Sequence, residues 1–341
     1  VTDGPLVPPG RALVVERPGH LRIGAAPETA PLRHGEALVR VAFAGVCGSD
    51  RELVAGTRDP GFVRYPVVPG HEWSGTVVAL GPGTDPRLLD RKVVGEGFRY
   101  CGSCVRCRAG DTNLCLAGYD ETGFTSPGAC ADLLRLPARL LHALPDDADL
   151  RAAALLEPAA CMAAAVLAAA PVTGEGVAVV GGGTLGLLAV QLIAATTPAE
   201  LVVVDPRNRL VALESGATEL RTPERAAAQA GTFDVVVEAA GAPGTGRLAL
   251  DLARRGGRVV LAGLHGGDDL TIAPAELVAR AVTVHTVFGA PSSAWSHAVR
   301  AFGAGVLRPV PLISDEFVLE QAGRALTEDG PRPTGKVLLH P

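Results

Sequence analysis

The 341-residue chain is 48% hydrophobic and 20% charged, a globular composition long enough for two domains with a core each. Its net charge of −5 and its arginines, scattered rather than gathered into a basic block, give no reason to expect a polyanion partner, so no nucleic-acid partner is expected. The stretch from Val1 to Gly10 is Pro/Gly-rich and polar rather than basic and then apolar, so the expected location is cytoplasmic.

β-branched, partly alternating residues from Arg11 to Glu16, Glu36 to Ala44, Val67 to Leu80 and Lys92 to Glu96, with Gly and Pro between them, predict short strands. The chain to about residue 150 therefore reads as β-rich. Inside this half, Gly45-Val46-Cys47-Gly48-Ser49-Asp50 and Gly70-His71-Glu72 supply a thiolate, an imidazole and carboxylates that one metal could gather. Cysteine and histidine are natural ligands of Zn2+, and a catalytic zinc takes three protein ligands and keeps one position open. Cys47 and His71 are two candidates. Glu157, in Leu155-Leu156-Glu157-Pro158, is the best third, because an acid within an Ala/Leu run is expensive to bury unpaired. Glu72 is the competing carboxylate. The plain alternative is a buried free cysteine, a satisfied core histidine and a helix-capping acid.

Cys101, Cys104, Cys107 and Cys115 follow C-x2-C-x2-C-x7-C, with Gly102, Ser103 and Gly110 supplying tight turns. Four thiolates around one tetrahedral ion make a closed site, so this zinc is expected to be structural. An iron-sulfur cluster is the alternative, but the last gap is wrong for common ferredoxin patterns and no proline follows Cys115. A nucleic-acid zinc module is the other alternative. Cys130 and Cys161 remain as buried thiols, with Cys161 close enough in sequence to Glu157 to serve as a reserve ligand.

From Gly176 the rhythm changes to strand and helix in alternation: Val177 to Val180, Leu185 to Ala195, Leu201 to Val204, Val235 to Val237, Val259 to Ala262. That order predicts a parallel sheet covered by helices. Val177 to Thr197 is uncharged and long enough to cross a bilayer, but Gly181-Gly182-Gly183, Thr184 and Gln191 fit a strand, turn and helix instead, so no membrane span is expected. Gly181, Gly183 and Gly186 form G-x-G-x-x-G, and Thr184 and Leu185 open the helix whose first amides would face a pyrophosphate. Asp205 closes the next strand about 20 residues on, where a carboxylate accepts from ribose hydroxyls and repels a 2′-phosphate. NAD is therefore expected over NADP. Arg207 and Arg209 could each hold a phosphate, or lie in a solvated loop. After about residue 290 the pattern loosens, and the tail ending Gly335-Lys336-Val337-Leu338-Leu339 reads as β-structure returning to the first half. Residues 1–157 and 291–341 are expected to form one domain, with the cysteine lobe at about 97–118, and residues 158–290 the other. Only Lys92 and Lys336 are lysines among 31 basic residues, which points to a G+C-rich genome and carries no mechanistic message.

In this order, Cys47-Gly48-Ser49-Asp50, Gly70-His71-Glu72, the four-cysteine lobe, Glu157-Pro158 and the Gly181 motif resemble the zinc-dependent medium-chain alcohol dehydrogenase family over nearly the whole chain. The resemblance implies an α/β protein with a GroES-like β-rich catalytic domain, a Rossmann domain with a doubly wound parallel sheet, and a cleft between them. It also implies two Zn2+ per chain, NAD, a small-molecule alcohol substrate and a homodimer or homotetramer. A glutamate at the third-ligand place is similar to the polyol, threonine and glucose dehydrogenase branch. The run from Tyr65 to Gly75 is similar to the 2-deoxy-scyllo-inosamine dehydrogenases of aminoglycoside antibiotic pathways, which would make the substrate a cyclitol or aminocyclitol. In such an enzyme Ser49 would take the hydroxyl proton, Asp50 would hold the outer nitrogen of His71, and hydride would pass to NAD to leave a ketone. Without their neighbours, Ser49 is equally a turn residue and Asp50 a helix cap. Many relatives carry a histidine five residues after the ligand cysteine; here that place is Glu52, so the proton leaves through Glu52 or through cofactor hydroxyls and water. Threonine and simple secondary alcohols are the rival substrates, and a nucleotide-binding protein without zinc chemistry is the rival function.

Overall fold

Short β-branched runs separated by Gly and Pro fold into β1 (Arg11–Arg17), β2 (His20–Ala25), β3 (Glu36–Val46), β4 (Glu72–Leu80), β5 (Lys92–Gly95), β6 (Leu133–Pro137) and β7 (Leu141–Ala143). The apolar runs that follow give β8 (Gly176–Val180), β9 (Glu200–Val204), β10 (Glu219–Arg221), β11 (Phe233–Glu238), β12 (Ala253–Leu261) and β13 (Thr283–Thr286), and the tail adds β14 (Ile313–Val318) and β15 (Lys336–His340). These assignments come from a computed structural model, which describes residues 10–25, 31–207, 210–264, 273–327 and 335–341.

The chain divides into two units, Val1–Glu157 with Ile313–Pro341, and Pro158–Leu312. The second crossing falls before Ile313 and not at the expected residue 291. The reason is that Arg308 stays with the second unit: its backbone N–H donates to Gln191 Oε1 at 2.7 Å, and Gln191 Nε2 donates to the Arg308 carbonyl at 3.3 Å.

In the first unit a seven-stranded sheet runs β14-β15-β3-β4-β5-β7, with β6 also paired to β3, while β1 and β2 form a separate antiparallel pair. Inward-facing Val39, Val41, Val77, Leu134 and Leu136 close around Trp73 as its core. One expected strand is shorter than its sequence suggests. Val67 makes only an isolated bridge to Val15, and β4 starts at Glu72, because Pro66 and Pro69 lack ladder N–H groups and Gly70 takes φ +99°. The return of the tail is a strand, β15, antiparallel to β3 with Val337 opposite Val46.

The second unit is a six-stranded sheet in the order β10-β9-β8-β11-β12-β13, every pair parallel. Counted from β8 this is 3-2-1-4-5-6, the doubly wound order, in which ligands bind at the carboxyl ends of the strands where the order reverses. That point is the end of β8, where Gly181 begins. The uncharged stretch from Val177 becomes β8 and the helix Thr184–Ala194, and among the described residues no helix is long and apolar enough to cross a membrane.

Candidate active site

The register of β3 against β4 sets Gly45 opposite Glu72, so Cys47, just past the end of β3, and His71, just before β4, come out side by side. The backbone turns at once into the helix Gly48–Ala55, with Cys47 as its N-cap. Donor atoms of Cys47, His71 and Glu72 all lie within 4.8 Å of one another. Asp50, in the first turn of that helix, accepts from the Cys47 N–H through Oδ2 at 2.8 Å and meets His71 Nδ1 through Oδ1 at 3.2 Å. Nδ1 is thereby taken, and Nε2 is the ring nitrogen left for a ligand. Burial alone would lower the His71 imidazole, but the Asp50 carboxylate and the Cys47 sulfur hold it well above its usual value. Burial would raise Asp50, and His71, the Cys47 N–H and Lys336 together outweigh it and leave the carboxyl below its usual value. On its other side the His71 ring packs against Phe124, centroids 4.8 Å apart, and the Arg58 guanidinium sits 3.7 Å over the Phe124 ring.

Of the two carboxylates expected to compete for the third place, the structure brings Glu72 into the donor group and leaves Glu157 outside it. Glu157 opens the helix Leu156–Ala169, where desolvation pushes its carboxyl up to about 7 against the opposing pull of His71. Glu72 is held by a residue that the sequence reading passed over: Lys336 Nζ donates to Glu72 Oε1 at 2.7 Å. The second oxygen, Glu72 Oε2, is buried without a hydrogen-bond partner. An orphaned carboxylate oxygen beside a thiol and an imidazole is costly as it stands. A divalent cation would satisfy all three donors, so the residues fit a metal.

The remaining predicted residues divide. Ser49 is half-buried in the first helical turn, and Glu52 is exposed on the same helix. Cys161 is half-buried and Cys130 buried; neither is among the donors that converge.

In the cysteine lobe the four sulfurs also lie within 4.8 Å of one another. Cys104 and Cys107 sulfurs are 3.4 Å apart, and those of Cys101 and Cys107 4.0 Å, too far for disulfides. A tetrahedral zinc with bonds of ~2.3 Å puts its sulfurs roughly 3.8 Å apart. Backbone N–H groups of Cys101, Ser103, Cys104, Cys107, Leu116 and Ala117 point at these sulfurs at 3.3–3.5 Å. Such donors favour thiolates, and the Ser103 hydroxyl and amide lower Cys101 to about 5, whereas burial pushes Cys107 up to about 12. The set fits a closed four-thiolate ion.

At the nucleotide turn Gly181 has φ +108°, and a Cβ on Gly186 would stand 1.8 Å from the Gly181 carbonyl oxygen. Both positions require glycine for the fold itself. A Cβ on Gly183 would meet nothing within 4 Å, so here the protein leaves open the space a pyrophosphate would fill. Gly183 N-caps the helix Thr184–Ala194 with no side-chain cap, and Thr184 and Leu185 stand half-buried in its first turn, leaving first-turn amides for an anion. Asp205 Oδ2 accepts from Gly182 N–H at 2.8 Å, and Oδ1 accepts from Arg207 N–H at 2.8 Å and Nε at 3.1 Å. Arg207 thus lies on Asp205, while Arg209 falls outside the described residues.

Fold and donor sets together define a metal-binding oxidoreductase with a dinucleotide turn. Residues 33–146 match the alcohol dehydrogenase GroES-like domain, and residues 184–304 match the zinc-binding dehydrogenase domain. The chain is 30% identical to a 2-dehydro-3-deoxy-L-galactonate 5-dehydrogenase of Pseudoalteromonas atlantica, over 89% of this chain and 91% of that protein. It is 27% identical to a sorbitol dehydrogenase of Halalkalibacterium halodurans, covering 95% and 96%. The structure of a cobalt- and zinc-bound thermostable alcohol dehydrogenase from Pyrobaculum aerophilum superposes with a TM-score of 0.86 at 30% identity, over 97% of this chain and 99% of that one. The chain belongs to the zinc-dependent medium-chain alcohol dehydrogenase family, with a GroES-like domain and a Rossmann domain, and is an NAD(P)-dependent zinc alcohol dehydrogenase.

Sequence reasoning missed Lys336, Phe124 and Arg58. For Lys336 a signal existed. In a chain that uses arginine for nearly every cation, Lys336 is one of two lysines, and the structure buries it to 7% exposure with its ammonium on Glu72.

Proposed function

We propose that the enzyme oxidises a secondary alcohol of a small polyhydroxylated molecule to a ketone, with NAD in preference to NADP, and that Cys47, His71 and Glu72 or Glu157 hold its catalytic zinc. The observation that carries this reading is the convergence of the Cys47, His71 and Glu72 donors around one buried point, with Asp50 fixing the imidazole. Bound zinc would polarise the alcohol oxygen as a Lewis acid, and bound nicotinamide would accept the hydride. The chain's own residues do the rest. Asp50 holds His71 Nδ1, fixing the tautomer that offers Nε2. Ser49 accepts the hydroxyl proton, and Glu52, three residues along the same helix and exposed, passes it to solvent. Cys101, Cys104, Cys107 and Cys115 hold a second, structural zinc.

The preference for NAD rests on Asp205, a carboxylate 7% exposed at the end of β9 whose presence opposes a 2′-phosphate. Arg207 is engaged with that same carboxylate and is not set aside for a phosphate. Polyol and sugar-acid substrates are supported by the sorbitol and 2-dehydro-3-deoxy-L-galactonate relatives. An aminocyclitol has only the run from Tyr65 to Gly75 behind it, and the antibiotic-pathway role nothing more. A homodimer or homotetramer remains the expectation from the family likeness.

The test is a screen of polyols, sugar acids, threonine, cyclitols and aminocyclitols with NAD and NADP, following absorbance of the reduced cofactor. Turnover of at least one polyol or sugar acid, faster with NAD and abolished by removing the metal, is expected. Equal rates in a metal-free preparation would overturn the proposal.

A further inference from the structure

One phenyl ring away from His71, a second set of polar side chains is built and left half satisfied. Phe124 packs against His71 with centroids 4.8 Å apart, and the Arg58 guanidinium lies 3.7 Å over the same ring. Arg58 Nε donates to the Phe62 carbonyl at 3.2 Å and Nη2 to the Tyr119 hydroxyl at 3.0 Å, while that hydroxyl donates to Glu121 Oε2. Nη2 also stands 3.7 Å from Oε2, an ion pair whose side chains are 14% and 9% exposed. Among the described residues no hydrogen bond reaches Arg58 Nη1 or Glu121 Oε1. A carboxylate this buried ordinarily has both oxygens satisfied. The backbone beneath it is fixed, since Glu121 N–H donates to Thr125 Oγ1 at 2.7 Å and its carbonyl accepts from the Thr125 N–H at 3.0 Å. A Cβ on residue 97 would stand 3.2 Å from Glu121 Oε1, so Gly97 keeps room beside that oxygen. Burial raises the Glu121 carboxyl above its usual value, and His71 is the strongest of the groups that oppose this, so imidazole and carboxylate feel each other.

We propose that Arg58 Nη1 and Glu121 Oε1 form a specificity site that binds a substrate hydroxyl beyond the reacting carbon and selects a neutral polyhydroxylated molecule over its carboxylate- and amine-bearing counterparts. The proposal rests on the reading of the Cys47 and His71 centre as the place where such an alcohol is oxidised, and narrows its substrate class. The guanidinium offers only donors, and the ionised carboxylate only acceptors. A hydroxyl is both, so it accepts from Nη1, donates to Oε1 and adds no charge to a pair that is already neutral. A substrate carboxylate pairs with Arg58 but cannot donate to Glu121, which repels it. An ammonium pairs with Glu121 but cannot accept from Arg58. In a poorly solvated site each mismatch leaves a like-charge contact and an unpaired group, which is discrimination by repulsion as well as by fit. Because Phe124 and Tyr119 already hold the guanidinium, little freedom is lost when substrate arrives.

The experiment compares kcat/KM of the zinc-loaded enzyme with NAD at pH 8 on three molecules of one skeleton: sorbitol, gluconate and glucamine. Where another neutral polyol is turned over faster, it is used with its own acid and amine analogues. Wild type is expected to favour the neutral member by about tenfold or more, the scale of one lost charge-assisted contact. Affinities of the same molecules for the enzyme–NADH complex, read by NADH fluorescence, should follow the same order. Glu121→Gln leaves the Arg58 charge uncompensated, so the gluconate-to-sorbitol ratio should rise by about tenfold and the glucamine-to-sorbitol ratio fall. Arg58→Gln should move both ratios the opposite way. A cluster that only braces the fold would lower all three rates by one factor, and that result, or a wild type that prefers gluconate or glucamine, would overturn the proposal. If Arg58→Gln does not fold, the nearly isosteric Glu121→Gln decides alone by the direction of the gluconate ratio; if neither folds, the wild-type ranking decides. A wild-type enzyme that turns over no polyol, or does so without metal, would sink the underlying reading; metal-dependent turnover with ratios that ignore both substitutions would sink only the role of Arg58 and Glu121.

Discussion

The four-cysteine lobe and the Cys47, His71 and Glu72 centre lie in the same unit and both gather metal donors, yet they are assembled by different means. In the lobe every donor comes from the stretch Cys101 to Cys115, and the groups that tune the sulfurs are the N–H groups of the same turns. In the centre the donors come from the ends of two strands, and the cation that holds Glu72 is 264 residues away on the last strand. A locally coded site needs only its own turns. A site coded by sheet register inherits every packing decision of the domain, and in return gains buried neighbours that can adjust each ligand. The lobe is fit to hold an ion permanently, and the centre to hold one while its remaining position changes occupant.

The largest effect that would break this comparison is expected at the centre. Cys47→Ser or His71→Ala should lower kcat by roughly a thousandfold or more, since the several kcal/mol that a Lewis acid supplies are lost. Binding of NADH, followed by fluorescence, should stay within about twofold, because the nucleotide turn belongs to the other unit. If such variants keep their turnover, the centre is not catalytic and the contrast with the lobe disappears. Asp50→Asn comes next. It leaves the ligands in place but weakens the group that orients His71, so metal affinity or activity should fall by about 10–100-fold.

The lobe should fail differently. Cys104→Ala removes one of four thiolates and one acceptor for the Cys107 and Leu116 N–H groups. The expected result is a Tm lower by roughly 5–10 °C, a few kcal/mol for a unit of this size, with kcat per folded molecule unchanged. Calorimetry and activity on the same sample check both halves. A Cys104→Ala enzyme with native Tm and a large loss of kcat would reverse the assignment of the two sites.

How much of this could be read from the sequence follows the same division. The lobe was legible as a spacing, because tight turns bring i, i+3 and i+6 thiols together without help from distant chain. The nucleotide turn was nearly as legible: Gly181 and Gly186 are demanded by local geometry, and Asp205 lies one strand away in a parallel pair with β8. The alternation of strand and helix gave the second sheet its class, though the second domain boundary moved to Ile313 because the Gln191 to Arg308 pairing has no periodic signature. At the centre the motif residues were visible and their arrangement was not. Which of Glu72 and Glu157 joins Cys47 and His71 depends on how β4 starts after Pro69 and Gly70, and on a lysine contributed by the last strand. Phe124 against His71 and Arg58 over Phe124 are loop contacts, which leave no spacing pattern to find.

The smallest expected effect tests the site of intermediate range. Asp205 sits below the usual carboxylate value: burial would raise it, but Arg207 and the Gly182 amide outweigh that. A depressed carboxyl contributes its stability fully above the unfolded value of ~3.9 and loses it only as pH falls through the lower folded value. Asp205 should therefore be ionised throughout the range from about pH 5 to 9, and the preference for NAD over NADP should be flat across it. Asp205→Asn keeps a hydrogen-bonding side chain but removes the charge. NADH binding should weaken by about tenfold, the scale of one charge-assisted hydrogen bond, and NADPH binding should tighten as the repulsion of the 2′-phosphate goes. Titrations of both reduced cofactors by fluorescence at pH 5, 7 and 9 measure this directly. A wild-type preference that drifts with pH over that range would mean that another group, and not the end of β9, reads the ribose.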